Sequence, residues 1–207
     1  MEYMKQMPDK CIDLAIVDPP YGIGESGEKN HTRGKLAKAA NYKPFYGNDL
    51  EPPKKEYFQE LMRISRNQII WGANHFISLI PFDSSCWIVW DKENGETDFA
   101  DYELAWTSFK TSVRKFTFRW QGMLQGNMKQ KETRIHPTQK PIALYEWLLN
   151  NYAKQGDLIL DTHVGSASSL IACYNLNFKY IGFELDKDYY NSSKHRLEVV
   201  MNQGRLF

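Results

Sequence analysis

The sequence predicts an α/β fold built on a mostly parallel sheet with helices on both faces, and three observations carry that expectation. Short apolar runs rich in β-branched and aromatic residues recur along the chain. In the second half they alternate with helical patterns, the arrangement that places parallel strands side by side. The chain has 207 residues, enough for one well-buried domain and too few for two.

The elements follow in order. The opening MEYMKQMPDK reads as a short helix. The run IDLAIVDPPYGIG is a buried strand over 12–18 that must finish near Asp18, because Pro19 and Pro20 have no N–H to give a ladder and each fixes its own φ. Residues 25–49 show little periodicity and are expected to form a mobile loop. Strands are expected at 68–72, 86–90, 103–109 and 115–120. The second and third of these are aromatic and flank an acidic, glycine-bearing connection, which predicts an antiparallel hairpin at one side of the sheet. After Pro141, residues Ile142, Tyr145, Leu148, Leu149 and Tyr152 fall on one helical face, with the proline suitably placed in the first turn. A strand at 158–161, a helix at 168–176, a strand at 180–184 and a helix at 188–203 complete the pattern. There is no internal repeat and no low-complexity tract.

Composition narrows the function classes. Charged residues make up 25% and hydrophobic ones 42%, and no apolar run approaches the roughly 20 residues of a membrane span. The first ten residues include acids and no apolar core, unlike a signal peptide. Cys11, Cys86 and Cys173 lie far apart, with no spacing suited to zinc or to a disulfide framework. The expectation is a cytoplasmic protein with neither metal nor membrane partner. Net charge is only +1, but its distribution is uneven. Lys29, Arg33, Lys35, Lys38 and Lys43 form one acid-free cluster. Between Lys110 and Arg134 seven Lys or Arg face the single acid Glu132. Such clusters can track phosphates, or can be solvated loops.

Ligands of open α/β sheets bind beyond the carboxyl ends of the strands, so polar groups there are site candidates. Asp18 and the carbonyl of Pro19 can accept the two N–H bonds of a nucleobase amine, favouring a pyramidal nitrogen whose lone pair is free to attack. Tyr21 can stack on such a base, which must leave the duplex to be reached. In LILDTHVGSASSLIA, Gly165 allows close backbone approach and the following helix offers free amides. Glu184 closes the next strand about 20 residues on, where an acid takes ribose hydroxyls in nucleotide-binding folds. Together they read as an adenosine site, against the plain alternative of a βαβ unit with a solvated acid.

Taken together and in this order, DPPYGIG, HPTQKP, LILDTHVGSASSLIA and GFELDKDYY resemble the β-group DNA amino-methyltransferases. WDKENGETDFADYELAWTS is similar to the corresponding part of phage and bacterial adenine methyltransferases. The resemblance spans nearly the whole chain. It implies a Rossmann-like seven-stranded sheet with one antiparallel strand, a circularly permuted motif order, S-adenosylmethionine as cofactor and DNA as partner. It further implies catalysis at Asp18, Pro19, Pro20 and Tyr21, and cofactor binding by Asp161, His163, Gly165, Ser166 and Glu184. Thr138 and Lys140 of HPTQKP become candidates for the cofactor's carboxylate, although capping of the helix after Pro141 would explain part of that segment. Adenine is favoured as the target because Asp opens the tetrapeptide; cytosine-N(4) methylation and a catalytically impaired DNA-binding regulator are the alternatives.

Target recognition is expected from a short segment at about 110–135, with Arg114, Lys115, Arg119 and Arg134, helped by Lys29, Arg33 and Lys35. So short a segment implies a short site or a second subunit. The glycine turn departs from the family's Asp-Pro-Phe-x-Gly-Ser-Gly, with Thr162, His163 and Ala167 in place of the proline, the aromatic and the last glycine. The family also has a strand and acidic turn ahead of the first helix, so the expectation is either a chain truncated at its N-terminus or an absent N-terminal edge strand, and in both cases an unprotected sheet edge and an adenine pocket with one open wall.

Overall fold

The computed structural model describes residues 1–24, 49–95, 100–121 and 124–203. Lys29, Arg33, Lys35 and most of the expected mobile loop lie outside the described residues. A seven-stranded sheet with order β5-β3-β4-β2-β1-β8-β9 forms the centre. Its strands are β1 (Ile12–Val17), β2 (Ser65–Trp71), β3 (Trp87–Asp91), β4 (Tyr102–Thr107), β5 (Arg114–Thr117), β8 (Leu158–Asp161) and β9 (Lys179–Gly182). A two-stranded ribbon, β6 (Trp120–Gln121) with β7 (Leu124–Gln125), stands apart from it. β1 pairs in parallel with β2 and β8, β8 with β9, and β3 with β5, whereas β4 is antiparallel to both β2 and β3. The hairpin expected from its two aromatic strands is therefore β3–β4, and it supplies the single reversed strand of the described sheet.

Burial on both faces explains why β1 reads as an unbroken apolar run. Leu14 and Ile16 face one cluster with Ile69, Trp71, Ile88 and Trp90. On that side lie α3 (Ile142–Tyr152) and α4 (Ser168–Asn175), contributing Leu144, Tyr145, Leu148, Leu149, Ala172 and Cys173. Ala15 and Val17 face the other cluster, covered by α1 (Glu2–Gln6) and α2 (Lys55–Ile64) through Met4, Tyr57, Phe58 and Leu61. α5 (Lys187–Gln203) closes the chain order. Among the described residues no helix is long and apolar enough to cross a membrane.

Three details differ from the sequence reading. On α3, Leu144 is fully buried while Ile142 and Tyr152 only pack against the cluster's margin. The strand expected over 115–120 breaks after Thr117, and Trp120 joins the ribbon. Phe116, Phe118 and Trp120 lie in succession with ring centroids 5.9 and 6.4 Å apart, and Phe116 meets Trp147 of α3 at 5.5 Å, so aromatic packing continues where ladder pairing stops. Helix α2 was not expected. Its residues Tyr57, Phe58, Leu61 and Met62 do carry helical spacing, but the helix runs straight into β2 at Ser65 with no turn residue between them.

Candidate active site

Sheet direction decides which side chains meet. β1, β2, β3, β8 and β9 bring their carboxyl ends to one edge of the molecule, and reversed β4 brings its amino end to the same place. Asp18 leaves β1 there, Lys92 follows β3, Glu103 begins β4 and Asp161 ends β8.

Asp18 is held from two sides. Its Oδ1 accepts from the Tyr21 hydroxyl at 2.7 Å and its Oδ2 from Lys140 Nζ at 2.6 Å. Burial pushes its carboxyl up from the ordinary range, and the Lys140 ammonium pulls it back. Lys140 also donates to Tyr21 Oη at 3.0 Å and pairs with Glu103 Oε2 at 3.0 Å, while Glu103 is bridged to Lys92. Burial works against the charge of Glu103, yet the two lysines hold its carboxyl down to about 2. Lys140 was expected at the cofactor's carboxylate; its ammonium is instead directed at Asp18, Tyr21 and Glu103.

The loop that follows is clamped by a residue sequence reasoning missed. Buried Asp49 accepts from the amides of Tyr21 at 2.6 Å, Gly22 at 3.0 Å and Ile23 at 3.3 Å. Three successive N–H groups converging on one carboxylate shape the turn, and an isolated acid after a long aperiodic stretch gives no local cue to that role. The Tyr21 ring stacks on His75 at 5.2 Å and 16°, so one of its faces meets an imidazole. Behind it lies Gly72, at φ +67°, where an added Cβ would come within 2.0 Å of the ring. Glycine is required at that position by both backbone and space.

The glycine turn forms the second half. Asp161 Oδ1 accepts from the His163 amide at 2.9 Å and Oδ2 from the Ser169 hydroxyl at 2.5 Å. Neither partner is charged, and burial pushes the Asp161 carboxyl up to about 7. Glu184 Oε2 accepts from the Gly165 amide at 2.7 Å and Oε1 from the Asp186 amide at 2.9 Å. Burial holds the His163 imidazole down to about 4, and its Nδ1 lies 3.0 Å from Thr162 Oγ1, which in turn meets the Tyr57 hydroxyl at 2.6 Å. A neutral ring therefore stands where the family pattern has an aromatic. Ala167 adopts φ 63°, the left-handed conformation that a glycine takes without strain. His136 packs beside Gly165 and meets Tyr189 edge-on at 4.3 Å, which gives this residue of HPTQKP a structural role. Exposed Thr138 turns its hydroxyl to His136 Nδ1 at 3.1 Å.

The described recognition candidates differ in setting. Arg114, Lys115 and Arg119 are exposed at and beyond the β5 edge, with Lys115 bridged to Asp91 at 3.2 Å. Arg134 is half-buried, its guanidinium 4.3 Å from the Trp120 ring centre. Glu132, the lone acid of the basic stretch, ties this segment to the turn. It accepts from the amide of Ile142 at 2.9 Å and bridges Arg196 at 2.7 Å, and Arg196 donates to the Ser166 carbonyl at 2.7 Å.

A family model described as DNA methylase matches residues 65–195, more than half of the chain. The Type II methyltransferase M.HpaI of Haemophilus parainfluenzae is 26% identical over 242 aligned positions, which cover 96% of this chain and 72% of that protein. Among solved structures, the M1.HpyAVI–SAM complex matches with a TM-score of 0.54 and 20% identity, covering 94% of this chain and 91% of that one. PvuII DNA methyltransferase, cytosine-N4-specific, matches with a TM-score of 0.58 and 13% identity, covering 96% and 86%. At these identities the two structures establish likeness of fold.

Proposed function

Because the chain belongs to the DNA methylase family, we propose that it transfers a methyl group from S-adenosylmethionine to the exocyclic N6 amine of an adenine flipped out of DNA. The observation that carries the proposal is the meeting of Asp18 and Tyr21 at the carboxyl end of β1, one strand away from the Asp161–Glu184 turn. Adenine is chosen over cytosine because aspartate opens the tetrapeptide.

The residues present suit the cofactor by their chemistry. Glu184, the backbone at Gly165 and Ser166, and Thr138 would hold its polar groups. Neutral His163 would face the sulfonium without charge repulsion, in a site otherwise lined by Asp18 and Asp161. S-adenosylmethionine, when bound, supplies a methyl group on cationic sulfur. The chain's own task is to hold the amine in line and to accept its hydrogen bonds. Asp18 Oδ1 and the Pro19 carbonyl are the acceptors. Since Tyr21 donates to Oδ1, the amine must displace that hydroxyl. Segment 110–135, through Arg114, Lys115 and Arg119, would contact the duplex, alone or with a second copy of the chain.

Mass spectrometry of nucleosides from cells expressing the protein tests this reading. N6-methyladenine should appear, and should fall by about 100-fold or more with Asp18→Ala. Methylcytosine in its place would move the target to cytosine-N(4). Methyladenine that stays near the wild-type level in the variant would overturn the role of Asp18.

A further inference from the structure

Four side chains of alternating charge run through the site: Asp18, Lys140, Glu103 and Lys92. They come from four separate places, the ends of β1 and β3, the start of β4 and the loop before α3. The Lys140 side chain is only 4% exposed. The Lys140 ammonium donates to Asp18 Oδ2 at 2.6 Å and to Tyr21 Oη at 3.0 Å, and it lies 3.0 Å from Glu103 Oε2 as an ion pair without hydrogen-bond geometry. A cofactor carboxylate would have to evict one of them.

We propose that Lys140 is a positioning residue for Asp18, and that the Asp18–Lys140–Glu103–Lys92 chain fixes which oxygen of the catalytic carboxylate meets the amine and keeps that carboxylate an acceptor. That this carboxylate is catalytic and meets an amine rests on the function proposed above; its pairing with Lys140 does not. With Oδ2 engaged by Lys140, Oδ1 is the oxygen presented to Tyr21 and hence to the amine that replaces it. Without the ammonium, two buried carboxylates would share the site, and one would take up a proton. A protonated Asp18 donates, and loses the capacity to accept that the amine requires. Lys92 keeps Glu103 from claiming Lys140 for itself alone. Among the described residues, the hydroxyls of Tyr57 on α2 and Tyr145 on α3 and the Asp161 carboxyl on β8 also act on Asp18, and His75 stacks on Tyr21 beside it.

The test is a carbon-13 carboxyl titration of the full chain labelled at aspartate, with the Asp18 resonance assigned through Asp18→Asn. Lys140→Met should raise the Asp18 midpoint by about one unit or more. Glu103→Gln should lower it, because the charge that opposes ionisation is gone while Lys140 remains. The acid limb of the methylation-rate profile should move in the same direction in each variant. Calorimetric affinity for S-adenosylmethionine should stay within about threefold in Lys140→Met, since the lysine already has its partners. An Asp18 midpoint unmoved in both variants overturns the proposal. So does a more than roughly tenfold loss of cofactor affinity in Lys140→Met with the rate profile unmoved, which returns Lys140 to the cofactor. Should Lys140→Met fail to fold, Glu103→Gln decides by itself: a downward shift supports the chain and no shift sinks it. The titration needs no turnover, so a wild type that leaves DNA unmethylated would fail the functional reading and still settle this one.

Discussion

Asp18 and Asp161 end adjacent parallel strands, β1 and β8, and both are buried carboxylates, yet their surroundings differ in one respect. Asp18 faces an ammonium. Asp161 faces a hydroxyl and a main-chain amide, both neutral. Burial raises both carboxyls: with neutral partners alone that of Asp161 rises to about 7, whereas at Asp18 the Lys140 ammonium opposes the rise without cancelling it. A group that must accept bonds from a substrate needs a counter-charge. A group that clamps a turn can do so in either protonation state.

The comparison can be broken most sharply by rate. Asp18→Ala should lower methylation by about 10²–10³-fold or more, the usual effect of removing one preorganised electrostatic partner. Asp161→Asn should leave measurable activity, since an amide can still accept from His163 N–H and donate to Ser169. Equal losses in one assay would erase the distinction.

Stability against pH sharpens it next. The folded-state value of Asp161, about 7, lies above the ordinary value near 4, so the folded protein binds more protons than the unfolded chain between them. That contribution is full at the acid end and is lost as pH rises through 7. Asp161→Asn removes it, so the variant should gain on the wild type by about 3 kcal/mol between pH 4 and 8, read as the difference of two denaturant-unfolding series. Using the difference matters because His136 and His163, both held at about 4, contribute the opposite slope: stability from them is present at neutral pH and falls away as pH drops through 4. A flat difference would mean that Asp161 ionises at its ordinary value.

The supporting loops extend the contrast to smaller effects. Gly72 and Ala167 share a left-handed backbone, at φ 67° and 63°, but the first has no room for a Cβ, which would strike the Tyr21 ring, while the second already carries one. Gly72→Ala should therefore cost about 2 kcal/mol or more and displace Tyr21, visible as loss of the Tyr21–His75 contact by nuclear Overhauser effects. Ala167→Gly should raise stability by about 1 kcal/mol in thermal or chemical unfolding, since it relieves backbone strain and removes only a methyl group.

Much of this protein is legible in its sequence by itself. The strand runs, the hairpin, the helix after Pro141 and the strand–turn–helix around Gly165 are local patterns of period and turn chemistry, and they needed no partner to be read. So was the placement of Asp18 and Tyr21 three residues apart in one turn, though not the hydrogen bond between them. What only the tertiary structure decided is the electrostatic setting of that pair. Lys140 is 122 residues from Asp18, and Glu103 reaches it because β4 runs backwards and delivers its amino end to the carboxyl ends of its neighbours. Charge pairing depends on distance in space and on the exclusion of water, and neither is written in the spacing of residues along a strand.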